Sequence, residues 1–241
     1  MISKLDQMIF DIEYYENYSE ASFVVNDYNK SAFEAINMVD IGYKPFANLL
    51  LIYGGRFSGK TYLCKLWQKR IGAANLNEPF HHIFHQKKTL NLNARSLDHL
   101  INKITNTDCF LENIDFFQED QLFYILETMI NSKYQYLLTT SFWPLKFRTI
   151  DLSSRLNAIK RVSILAPDLI ALKTMIMKYF TIRDINVSLN TLNYITYRMP
   201  SDFEIVRVIL EDINQCSLIN KTNISIPFLQ KFYSNSLEPR Y

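Results

Sequence analysis

The sequence predicts an α/β fold in which a five-stranded parallel sheet with helices on both faces is followed by a small helical domain. Strand-length apolar runs alternate with stretches whose apolar residues recur three and four apart. A glycine-rich turn sits between the first such run and the helix after it. Beyond Pro167 only helical spacing is found.

Taken in order, the strand candidates are Asn48–Tyr53, Phe80–His85, Cys109–Ile114, Tyr136–Thr140 and Arg161–Leu165. Helical spacing fills the gaps at Thr61–Arg70, Ser96–Ile104 and Glu119–Ile130. It then runs through 168–181, 187–198, 201–217 and 226–234. The expected division is an N-terminal tail at 1–20, an α/β core at 21–165 and a helical lid at 166–241.

Of 241 residues, 48% are hydrophobic and 21% charged, a composition that can bury a globular core. The net charge of +2, from 26 basic and 24 acidic residues, provides no strong field toward nucleic acid or an anionic membrane. Direct sequence-specific DNA binding is therefore not expected. Cys64, Cys109 and Cys216 are odd in number and far apart, with no CxxC pair for zinc or a disulfide framework. No run approaches the ~18 apolar residues of a membrane span, and Met1–Asp6 lacks the apolar segment of a secretory signal. A cytoplasmic protein with no membrane partner is expected.

Residues 54–61 read Gly54-Gly55-Arg56-Phe57-Ser58-Gly59-Lys60-Thr61, a full match to GxxxxGK[ST]. Three of the chain's five glycines fall within these eight residues, between an apolar strand and a helix beginning at Tyr62. Such a turn points free N–H groups and a helix N-terminus at one place, where phosphate can be held. Lys60 is the candidate contact to the β- and γ-phosphates of ATP or ADP, and Thr61 is a candidate Mg²⁺ ligand.

Hydrolysis at such a loop needs an acidic residue on a neighbouring strand to hold the metal, and a second group to orient the attacking water. In Cys109-Phe110-Leu111-Glu112-Asn113-Ile114-Asp115, Glu112 takes the Mg²⁺ position and Asn113 the second. An amide cannot accept a proton, so unaided hydrolysis is expected to be slow. Asp115 is the alternative source of the missing charge, and the bland alternative for Glu112 is a polar strand terminus.

These motifs resemble the DnaA/Hda branch of the bacterial AAA+ proteins over nearly the whole chain. Phe23-Val24-Val25-Asn26-Asp27-Tyr28-Asn29 is similar to the stretch lining the family's adenine pocket, which implies base contacts from Phe23, Val24, Val25 and Asn29. Leu137-Leu138-Thr139-Thr140-Ser141 resembles the sensor I strand, with Ser141 where the family has Asp. Leu152-Ser153-Ser154-Arg155-Leu156 resembles the box VII segment, which implies that Arg155 is an arginine finger projecting toward a neighbouring subunit. The alternative for Arg155 is a solvated helix arginine. The family's sensor II arginine is missing: Phe203 or Glu204 stands there, with Arg207 one turn on.

Within that branch Glu112-Asn113-Ile114 and the ending Ile224–Lys231 resemble Hda-type regulators more than the initiators, which continue into a DNA-binding domain. The resemblance implies an ADP- or ATP-bound regulator that supplies Arg155 to DnaA and turns down replication initiation. It also implies that Gln7, Met8 and Phe10 form a peptide for the DNA polymerase sliding clamp (its β subunit). A DnaA-related loader or remodeller with its own ATPase, a non-catalytic nucleotide-binding adaptor, and a homo-oligomer all stay open. His81, His82 and His85 lack further ligands nearby, and the dispersed aromatics fit a core better than a base-stacking surface.

Overall fold

In the computed structural model the described residues are 23–37, 46–78 and 90–236. Gln7, Met8 and Phe10, the strand expected at Phe80–His85 and its three histidines lie outside them. Helix α1 (Lys30–Asn37) leads into strand β1 (Leu49–Tyr53) and helix α2 (Lys60–Ile71). Strand β2 (Ala74–Asn75), helix α3 (Ala94–Asn106) and strand β3 (Cys109–Leu111) follow, then a 3₁₀ turn at Ile114–Phe116 and helix α4 (Glu119–Ile130). Strand β4 (Tyr136–Thr140), helix α5 (Ile150–Ala158) and strand β5 (Lys160–Ser163) complete the α/β part. Helices α6 (Leu169–Ile182), α7 (Leu189–Thr196), α8 (Phe203–Asn220) and α9 (Ile226–Ser236) form the rest.

The five strands pair in parallel in the order β2-β3-β4-β1-β5. The five-stranded parallel sheet is the expected one, but its second member is Ala74–Asn75, six residues before the run expected to supply it. Period-two alternation splits the sheet's side chains between two cores. Leu49, Leu51, Leu111 and Leu138 join α3, α4 and α5 on one face, and Leu50, Ile52, Phe110 and Leu137 join α1 and α2 on the other. Strands covered on both faces carry continuous apolar sequence, as β1 does, and β4 departs from it only in Thr139 and Thr140.

A third cluster belongs to the last four helices, with Leu172, Ile176 and Phe180 meeting Leu192, Ile195, Val206 and Leu229. Side-chain caps begin three of these helices: Asp168 accepts from the Ala171 N–H at 2.7 Å, Ser188 from Thr191 at 3.1 Å and Asp202 from Ile205 at 2.9 Å.

A fully buried hydroxyl ties β4 to α3. The Tyr136 OH donates to the Ile104 carbonyl at 2.6 Å. Ile104 lies in the last turn of α3, where carbonyls lack helical partners. Tyr136→Phe should therefore lower stability by about 1–2 kcal/mol, seen as a lower urea midpoint at an unchanged slope.

Candidate nucleotide-binding site

The C-terminal ends of β1, β3 and β4 converge on the loop before α2. Gly54 continues β1, donating its N–H to the Thr140 carbonyl at 3.3 Å. A Cβ there would come within 2.8 Å of the Ile164 carbonyl, so glycine is required by close approach. Gly59, at φ 100°, precedes α2 in the left-handed region, and no side chain caps the helix. Its first turn also has no carboxylate. The amide end of a twelve-residue helix is thus left to an anion.

Lys60 is only 7% exposed, and its Nζ donates to the Gly54 and Gly55 carbonyls at 2.6 and 2.7 Å. Burial pushes its pKa down to about 8, against the opposing pull of Asp115 and Glu112. The Thr61 hydroxyl donates to the Glu112 carboxylate. Burial pushes the Glu112 carboxyl up, opposed by that hydrogen bond and by Lys65 and Lys60.

Asn113, at φ 55°, turns the chain out of β3 and donates its backbone N–H to Thr139 Oγ1 at 3.2 Å. Asp115 accepts from the Thr140 hydroxyl at 2.8 Å and from the Ser141 N–H at 3.4 Å, linking the ends of β3 and β4.

Beside these groups lies a cleft of ≈ 560 Å³ between the sheet edge and helices α6 and α8. It is lined by Arg56, Phe57, Ser58, Gly59, Lys60, Thr61 and Tyr62, with Asn113, Ser141, Phe23 and Val24. The Phe23 ring stacks on Phe33 at 5.6 Å and meets Tyr62 at 5.1 Å.

Glu112, Gly54 and Gly55 are not part of this lining, nor are Val25 and Asn29, which the sequence placed against the base. Fully buried Asn29 instead pins its own turn, accepting from the Asn26 N–H at 2.9 Å and donating to the Val24 carbonyl at 3.0 Å. Arg155 lies away from the cleft. It pairs with Glu127 and, at 3.2 Å, with Asp151, and its guanidinium lies 4.8 Å from the Phe123 ring centroid.

Two sets of residues escaped the sequence. Asn77, 4% exposed, accepts from the Glu112 N–H at 2.7 Å and donates to the Glu112 carbonyl at 3.0 Å, fixing the acidic residue's backbone. The helical part contributes Lys178 and Arg183 to the cleft, beside Arg207, which the sequence had already offered. Of these Arg183 already faces Glu211 at 3.6 Å. Arg207 lies 4.5 Å from the Phe57 ring centroid, so the arginine one turn beyond the expected sensor II position does reach the cleft.

The donors fit a nucleotide phosphate. Ser58 Oγ is buried in the loop without a hydrogen-bond partner, α2 is uncapped, and the charged groups lining the cleft are all cations. Among the described residues no three His, Cys, Asp or Glu side chains gather. A metal at Thr61 and Glu112 would therefore depend on phosphate oxygens for further ligands.

No family model matches the chain. It is 25% identical over 238 residues to the chromosomal replication initiator protein DnaA of Buchnera aphidicola subsp. Cinara cedri, covering 93% of this chain and 54% of that protein. It is 27% identical over 236 residues to DnaA of Campylobacter jejuni strain 81116, covering 91% and 52%. The chain spans about half the length of the relatives it matches. Domain III of Thermotoga maritima DnaA superposes with a TM-score of 0.65 at 16% identity, over 93% of this chain and 98% of that one. The chain has a DnaA-like AAA+ fold. AMPPCP-bound DnaA from Aquifex aeolicus aligns at TM-score 0.57 and 18% identity, over 83% and 65%. The Thermotoga maritima RuvB branch-migration motor aligns at 0.58 and 12%, over 89% and 70%. In this DnaA-like chain no helix of the described residues is long and apolar enough to cross a membrane.

Lys60 gives the site a pH dependence whose sign follows from its lowered pKa. Below about 8 the free site holds the ammonium that a phosphate needs; above 8 the proton must be taken up on binding. Nucleotide affinity should be level from pH 7 to 8 and fall by about tenfold per unit above it. Calorimetry at pH 9 should show proton uptake. Lys60→Ala should lose most of the affinity together with this dependence.

Proposed function

We propose that this chain holds ADP or ATP with Mg²⁺ in the cleft and acts as an Hda-like regulator of replication initiation. On this reading it stimulates hydrolysis of the ATP bound to DnaA through Arg155 while held on the sliding clamp through Gln7, Met8 and Phe10. The observation that carries the proposal is Asn113: it lines the cleft beside a full phosphate loop, yet offers an amide where a water-orienting carboxylate is needed. Similarity to DnaA along nearly the whole chain supports the choice of partner family.

The roles follow from the groups present. Lys60 and the α2 amide end would neutralise phosphate charge, and Thr61 with Glu112 would hold Mg²⁺, which supplies Lewis-acid polarisation of phosphate oxygens. Asn113 can orient a water but not take its proton. Arg155 would act on another subunit's nucleotide, after release from Glu127 and Asp151. Both pairs are partly exposed, and such pairs hold by only about 0–1 kcal/mol each.

A second reading has its own observation. Asp115, fixed by Thr140 and Ser141, is the foremost of the charges that favour Lys60's ammonium, so a second carboxylate does lie near the phosphate site. It would suit a loader or remodeller with its own ATPase. Under the favoured reading, steady-state turnover by the protein alone should stay well below ~1 s⁻¹. Brisk turnover, lost in Asp115→Asn, would install the second reading instead.

Arg155→Ala should leave the urea stability within about 1 kcal/mol, since its ion pairs are partly exposed. It should lower stimulated hydrolysis on DnaA by about 10³-fold or more, the scale of arginine fingers elsewhere. Single-turnover hydrolysis of labelled ATP on DnaA, with clamp-loaded DNA present, checks this. Full stimulation by the alanine variant would exclude Arg155, and none from the unmutated protein would exclude the regulatory role.

A further inference from the structure

The phosphate loop is joined to the helical part by two consecutive residues. Arg56 Nη1 lies 3.0 Å from Glu204 Oε1. Phe57 carries the Arg207 guanidinium over its ring. Glu204 and Arg207 are three apart on α8 and so share one face. Phe57 has φ 61°, a left-handed conformation that non-glycine residues seldom adopt. Next to these contacts the Tyr28 and Phe203 rings meet at 5.5 Å, so the first turn of α8 rests on the core at successive points.

Arg56 has a second place to go. It lines the cleft, and it lies close enough to Lys60 to disfavour that residue's charge. An anion reaching both would relieve the repulsion. The pair with Glu204 offers little resistance, because both side chains are 39% exposed. A terminal phosphate presents more charge than a carboxylate and matches the planar guanidinium bidentately.

We propose that Glu204 and the terminal phosphate of a bound triphosphate compete for Arg56, so that this ion pair sets how far the site prefers a triphosphate over a diphosphate. The inference rests on the cleft being the nucleotide site. A diphosphate ends short of Arg56 and leaves it on Glu204. A triphosphate draws Arg56 off α8 and loosens the helical part from the loop. Glu204 therefore acts through Arg56 as a positioning residue.

The test is calorimetric binding of AMPPCP and of ADP, with Mg²⁺, to the full chain and to Glu204→Gln, Arg56→Gln and the double variant. Glu204→Gln should raise the AMPPCP-to-ADP affinity ratio by about threefold to fivefold, the range open to an exposed pair. Arg56→Gln should lower that ratio below the unmutated value, and the double variant should match Arg56→Gln alone. A ratio unmoved by Glu204→Gln, or a gain that persists without Arg56, overturns the competition while leaving the nucleotide site standing. Failure of the unmutated chain to bind either ligand overturns both.

Discussion

A buried ammonium organises the sheet edge. At 7% exposure the Lys60 cation is stable only if its surroundings replace water, and the nearest replacements are the carbonyls of Gly54 and Gly55. Those carbonyls face inward because β1 runs straight into the loop and because Gly54 has no side chain to strike the Ile164 carbonyl. Gly59 then reverses the backbone so that α2 can start without a cap. Glu112 and Asp115 supply compensating charge from β3's end, and each is itself held: Glu112 by Thr61 and by Asn77 on its backbone, Asp115 by Thr140 and Ser141. Asp115 and Glu112 both favour the Lys60 ammonium, so losing either support weakens the hold on its charge.

This arrangement is well made for holding charge and poorly made for moving a proton. Glu112, which accepts from Thr61, is not part of the cleft lining, whereas the amide residue Asn113 is. A nucleotide in such a site would act more as part of the fold than as a substrate. The helical part would then respond to the nucleotide's identity rather than to its turnover. Arg155, away from the cleft, is held by Glu127 and Asp151 within its own chain.

What the sequence disclosed and what it concealed divide along physical lines. Strands β1 and β4, sealed on both faces, are written with apolar or β-branched residues throughout, and Leu49–Tyr53 and Tyr136–Thr140 are visible for that reason. Strand β2 has two residues, too few for any period to show, so Phe80–His85 was expected in its place. Strand β5 begins with exposed Lys160 and Arg161 at the sheet's edge, and the apolar signal accordingly points a residue too late. The phosphate loop was legible because its conformation needs glycine at fixed places. Asn77 and Lys178 were not, because each reaches the site through tertiary packing and has no local pattern. Asn29 was found, but its bonds within its own turn were not foreseen, since a turn-pinning asparagine and a base-contacting one look alike in sequence.

Phe57 marks the point at which local and global requirements conflict. At φ 61° a glycine would pay nothing for steric crowding, whereas a phenylalanine is strained by an amount on the order of 1–3 kcal/mol. Such a conformation persists only where surrounding contacts over-determine it. Here they come from outside the loop: Arg207 from α8 lies over the ring, with Arg56 5.7 Å from its centroid and itself tied to Glu204. The loop's shape therefore depends on the helical part being in place. A glycine at the same position would let the phosphate loop keep its form alone. Phenylalanine gives that independence up, and so makes the geometry around the phosphates and the seating of α8 parts of one equilibrium.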